Sequence, residues 1–113
     1  MTEQTSVDAR MLDRLFDVIE GRKSQDADKS YVASLYKKGR QKIAQKVGEE
    51  AVETVIAAIA DDRAGVVNES ADLLFHLMVL WADSGVCPDD IYLELARREG
   101  LSGLDEKTAR KQD

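Results

Sequence analysis

At 113 residues, 43% apolar and 34% charged, the chain has the composition of one folded domain rather than of a disordered segment. A net charge of −6 argues against a duplex nucleic-acid binder, and the longest apolar stretch, residues 73–82, is interrupted by His76 and too short to span a bilayer. The lone Cys87 excludes an intrachain disulfide, and residues 1–10 are polar with no apolar signal region; both features predict a cytoplasmic protein.

The one proline, Pro88, leaves room for long uninterrupted helices. Met11, Leu12, Leu15, Val18 and Ile19 recur at helical spacing and predict a first helix over about residues 7–20, stopped at Gly21. Residues 22–29 read as a polar loop. Ser30 is a fitting N-cap for a short helix over residues 31–38, which Gly39 breaks. A third helix over about residues 40–61 carries the apolar line Ile43, Val47, Ala51, Val55 and Ile59, with Val52 and Ile56 beside it. After a short link at Asp61, Asp62 and Arg63, a fourth helix spans about residues 64–83 and ends at Ser84-Gly85. From Leu73 onward that helix is apolar nearly all round, which calls for burial on more than one side and points to a subunit interface. Pro88 opens a fifth helix, with Asp89 and Asp90 well placed at its start and Gly100 as its stop. Residues 1–6 and 101–113 are expected to be loosely held. No alternating run reads as a strand. The prediction is a single all-α domain, an antiparallel bundle of four to five helices that forms a dimer.

The chemistry concentrates on the third and fourth helices. Glu49, Glu50 and Glu53 form a Glu-Glu-x-x-Glu motif, and Glu69 and Asp72 form a Glu-x-x-Asp pair downstream. Residues three and four apart share a helix face, so each set presents its acids together. Folding the fourth helix back along the third brings the two sets to the same height, because each lies about two helical turns from the link. Converging carboxylates repel one another unless a cation sits among them. Hard oxygen donors suit Mg²⁺ or Mn²⁺ on a phosphate substrate, while one histidine and one cysteine are too few for zinc. Such a site can polarise a phosphoanhydride and activate a water, with Glu49 the candidate to accept the water's proton. The plain alternative is an acidic, solvent-facing stripe.

Residues 29–48 hold six basic side chains, Lys29, Lys37, Lys38, Arg40, Lys42 and Lys46, and no acidic one. Lys38, Arg40, Lys42 and Lys46 are therefore candidates for contact with a polyanion, set against the ordinary reading of a solvated helix face. Lys46, one turn before Glu49 and Glu50, is equally an intrahelical ion-pair partner. His76 follows Asp72 by four residues on the same face and is a candidate for substrate contact or support of the acids, or else a satisfied core histidine. Phe75, Met78 and Trp81 read as core or interface. Tyr31 and Tyr36 read as packing residues that can also face the basic segment.

At these residues the sequence resembles a known family. Glu-Glu-x-x-Glu followed by Glu-x-x-Asp on successive helices is similar to the all-α (MazG-like) nucleotide pyrophosphohydrolases. The run GRQKIAQKVGEEAVE at residues 39–53, Ser30-Tyr31, and ESADLLFH at residues 69–76 resemble more closely the phosphoribosyl-ATP pyrophosphatases of histidine biosynthesis, as does the stretch 97–111. The resemblance implies hydrolysis of the α–β phosphoanhydride of 1-(5-phosphoribosyl)-ATP, a homodimer, and Mg²⁺ held by Glu49, Glu50, Glu53, Glu69 and Asp72. Two other readings stay open on the sequence: a housekeeping pyrophosphohydrolase acting on dNTPs, and a non-catalytic helical dimer used as a binding module.

Overall fold

In the computed structural model, residues 7–100 are described; they form five α-helices and, among the described residues, no strand. The helices are α1 (Arg10–Gly21), α2 (Tyr31–Lys38), α3 (Arg40–Ile59), α4 (Arg63–Ser84) and α5 (Pro88–Arg98). The expectations for residues 1–6 and 101–113, and most of the family-like stretch 97–111, lie outside the described residues.

Each boundary has a local cause. The Ser30 hydroxyl accepts from the Ala33 N–H at 3.1 Å and caps α2. Gly39 then turns the chain directly from α2 into α3 at φ 99° and ψ 174°, a conformation open essentially to glycine alone. Helix α3 ends in a Schellman motif: Asp61 adopts φ 57°, its N–H bonds Ala58 O, and the Asp62 N–H bonds Ala57 O. Asp is one of the few non-glycine residues that tolerate this geometry. The Asp62 carboxylate in turn accepts from the Gly65 N–H at 2.9 Å and caps α4. The link between the two long helices is thus one continuous set of caps. Gly85, at φ 75°, closes α4 in the same way, with the Val86 N–H bonding Trp81 O. Asp90 accepts from the Cys87 N–H at 3.0 Å at the start of α5.

Packing is uneven along the molecule. Phe16 and Ile19 of α1, Val32 and Leu35 of α2, Ile43 of α3, and Met78, Val79 and Ala82 of α4 form one buried cluster. Arg40 ties the start of α3 to the end of α4 by pairing with the Asp83 carboxylate and donating to its carbonyl at 3.0 Å. Helix α4 packs mainly along α3 and also against α1, in line with its two-sided apolar character.

The apolar line on α3 meets this core only at its N-terminal end. Ile43 is fully buried, but Val52, Val55 and Ile56 are more than half exposed and Ile59 is 81% exposed. The second half of α3 therefore leaves its apolar side uncovered in the single chain. The radius of gyration, 16.6 Å, exceeds the roughly 13 Å of a compact domain of about this length.

Candidate active site

The cap-to-cap link fixes the register of α3 against α4, and this register brings carboxylates from both helices together. One oxygen each from Glu50, Glu69 and Asp72 lies within 4.8 Å of the others. Glu50 is 7% exposed, and its Oε1 is sealed from solvent with no hydrogen-bond partner. A buried acceptor left in this state costs about 1–3 kcal/mol, more when it is charged. The donor set is all carboxylate oxygen, drawn from two rigid helices, and includes Glu50 with its orphaned Oε1. These residues fit Mg²⁺ or Mn²⁺ and not zinc.

Glu53 joins this group from one turn later on α3. Contact with the Glu50 carboxyl, and then the charge of that group, raises the pKa of Glu53 above the usual carboxylate range. Glu49 faces differently. Its Oε2 accepts from Gln45 at 2.7 Å and its Oε1 pairs with Lys46 at 3.2 Å, and these bonds lower its pKa. Lys46 also stands 3.7 Å from Glu50 Oε2, and the hydrogen bond to Glu49 is the chief cause of its raised pKa. An open, shallow groove of about 630 Å³, lined by α3 residues alone, runs past Lys46, Glu49, Glu50 and Glu53. A second depression of about 370 Å³, between Glu53, Ala60 and Glu69, adjoins the carboxylates from the side of the link.

The remaining sequence candidates separate. Arg40 is committed to Asp83 and lies ten residues before Glu50, about 15 Å along the helix. Lys38 is exposed in the last turn of α2, and Lys42 is half-buried on α3, close enough to act electrostatically on Glu49. His76 is only 6% exposed, and both ring nitrogens are occupied: Nδ1 lies 2.8 Å from the Asp72 carbonyl and Nε2 lies 2.9 Å from the Tyr31 hydroxyl. It stands behind the acids rather than in the groove. Tyr31 is the residue that reaches the surface in its place. Nothing in local spacing reveals this, because Tyr31 and His76 are 45 residues apart.

A family model for phosphoribosyl-ATP pyrophosphohydrolase matches residues 12–99, which takes in all of α2 to α5 and nearly all of α1. A phosphoribosyl-ATP pyrophosphatase of Rhizorhabdus wittichii is 63% identical over 99 residues, 88% of this chain and 93% of its own length. That of Parvibaculum lavamentivorans is 61% identical over 105 residues, covering 93% and 96%. That of Azospirillum brasilense is 55% identical over 108 residues, covering 96% and 97%. With a helical bundle, a two-helix carboxylate cluster and similarity along nearly the whole chain, this protein belongs to the phosphoribosyl-ATP pyrophosphohydrolase family and is a hydrolase.

Proposed function

We propose that this chain hydrolyses the α–β phosphoanhydride of 1-(5-phosphoribosyl)-ATP to 1-(5-phosphoribosyl)-AMP and pyrophosphate, the second step of histidine biosynthesis, with Mg²⁺ as cofactor. The observation that carries the reading is the buried, unpartnered Glu50 Oε1 set against Glu69 and Asp72 on the neighbouring helix. The names of the relatives supply the substrate. Glu50, Glu69 and Asp72 would hold the ion, with Glu53 adjoining. When bound, Mg²⁺ offsets charge on phosphate oxygens and makes a water easier to deprotonate.

The protein's own groups do the rest. Lys46, at the edge of the groove, offers a positive charge to a phosphate beside the acids. Its ion pair with Glu49 leaves that carboxylate less available to accept a proton, so we assign the water's proton to Glu53 rather than to Glu49. Helices α3 and α4 hold these groups without a mobile loop. The uncovered side of the hairpin supports a homodimer, in which Val52, Val55, Ile56 and Ile59 pack against a second copy.

Purified protein incubated with phosphoribosyl-ATP and Mg²⁺ should release pyrophosphate, and EDTA or Glu50→Gln should stop it. Release from dNTPs but not from phosphoribosyl-ATP would reassign the substrate. No release from either, with full binding of nucleotide, would overturn the enzyme reading.

A further inference from the structure

The hydrogen bonds around His76 determine what the Tyr31 hydroxyl can do. The Asp72 carbonyl can only accept, so the His76 Nδ1, 2.8 Å away, carries the ring proton. Nε2 of a neutral ring is then bare, and the Tyr31 hydroxyl at 2.9 Å must donate to it. The phenolic oxygen is left with lone pairs alone for any outside partner. It can accept a hydrogen bond and cannot give one.

The same contacts place this acceptor at the site. His76 hangs from the backbone of Asp72, whose carboxylate belongs to the Glu50–Glu69–Asp72 cluster. Tyr31 also lies near Lys46, which pairs with Glu49 and Glu50. The Tyr31 ring is half exposed yet fixed, stacked on Phe75 with centroids 6.1 Å apart and edge-on to His76 at 5.7 Å. A rigid aromatic wall with an acceptor at its tip is poorly suited to phosphate, whose oxygens are acceptors too. It suits a group with a hydroxyl donor and an apolar face.

We propose that Tyr31 accepts a hydrogen bond from a ribose hydroxyl of the nucleotide and that His76 is the positioning residue that orients it. The inference rests on the nucleotide substrate assigned above. With phosphates at the carboxylates, the ribose bonded to the α-phosphate is the next group along the nucleotide, and Tyr31 is the aromatic acceptor tied through His76 to the backbone of Asp72.

The test is steady-state pyrophosphate release from phosphoribosyl-ATP with Mg²⁺ for wild type, Tyr31→Phe, His76→Leu, His76→Gln and the Tyr31→Phe, His76→Leu double variant. Tyr31→Phe keeps the ring and its stack but loses the acceptor. It should raise KM about fivefold to tenfold, the equivalent of one hydrogen bond, with kcat unchanged. His76→Leu should raise KM similarly, and the double variant no further, because His76 acts through Tyr31. His76→Gln, which restores an acceptor near the Nε2 position, should recover most of the loss. An active wild type with KM unchanged in Tyr31→Phe overturns the proposal, whether or not His76→Leu folds. A loss falling on kcat alone overturns it too, because it would place the phenol at the reacting centre. A wild type inactive on phosphoribosyl-ATP overturns the substrate reading first, and this inference with it.

Discussion

Lys46 reaches back to Glu50 from one turn earlier on α3, its Nζ 3.7 Å from Oε2, while the other oxygen of the same carboxylate is sealed in with nothing to accept from. One lysine at that distance does not satisfy a carboxylate that also touches Glu53 and faces Glu69 and Asp72. This unbalanced carboxylate is the feature on which the proposed Mg²⁺ site rests.

Replacing Glu50 should therefore separate stability from function. In EDTA, Glu50→Gln should melt at or above the wild-type temperature, because it relieves the repulsion from Glu53. With Mg²⁺ at about 100 times its dissociation constant, the wild type should gain roughly 2.7 kcal/mol and the variant almost nothing. Pyrophosphate release by the variant should fall by more than about 100-fold. Thermal melts with and without Mg²⁺, beside the activity assay, check both halves. A variant that melts lower than wild type in EDTA would show Glu50 to be a structural residue.

The uncovered side of α3 gives a second expectation. Val55→Glu should leave the helical content of the chain intact, since Val55 touches no part of the buried cluster. In light scattering it should convert the proposed dimer to a monomer. A variant that stays dimeric would place the interface elsewhere.

Gly39 joins two helices with no intervening residue at a backbone geometry that a Cβ disfavours. Gly39→Ala should destabilise the fold by about 1–3 kcal/mol, although open space surrounds the added methyl. Chemical denaturation measures this directly, and an unchanged midpoint would mean that the α2–α3 junction relaxes freely.

Glu94 is the clearest pH reporter away from the site. Hydrogen bonds from Arg97, then Arg98, lower its pKa from 4.5 to about 2. A depressed carboxyl contributes stability above its unfolded value and loses it as pH falls through the folded one. The melting-temperature advantage of wild type over Glu94→Gln should be small and constant above about pH 4.5, shrinking toward pH 2. The group is solvent-accessible, so salt should weaken the effect as well. An advantage independent of pH would remove the ion pairs as its cause.

The helices were legible in the sequence because their ends carry local signals: Ser30, Gly39, Gly85 and Pro88 all act where their chemistry predicts, whereas the cap at Asp62 is hidden within what reads as a plain link. The pairing of Glu50 with Glu69 and Asp72 was legible for a related reason, since helical periodicity and a short link fix relative height. What periodicity cannot give is the covering of a stripe. The line from Ile43 to Ile59 reads as one face, yet only its first residue meets the core of the single chain. Nor does it give side-chain direction among adjacent acids, so Glu49 reads like Glu50 although it turns to Gln45 and Lys46. Long-range pairs were hidden altogether: Arg40 goes to Asp83, and His76 lends its position to Tyr31.

The interlocked caps at Asp61 and Asp62 also limit how this chain can vary in length. A residue inserted or lost there would rotate α4 by about 100° relative to α3 and carry Glu69 and Asp72 out of the shared face. The loop over residues 24–29, between Lys23 on the Ala82 carbonyl and the Ser30 cap, imposes no such condition, because it joins α1 to α2 and neither holds a carboxylate of the cluster. Insertions, tags and fused segments belong in that loop, and the three-residue link works as a ruler whose length is part of the chemistry.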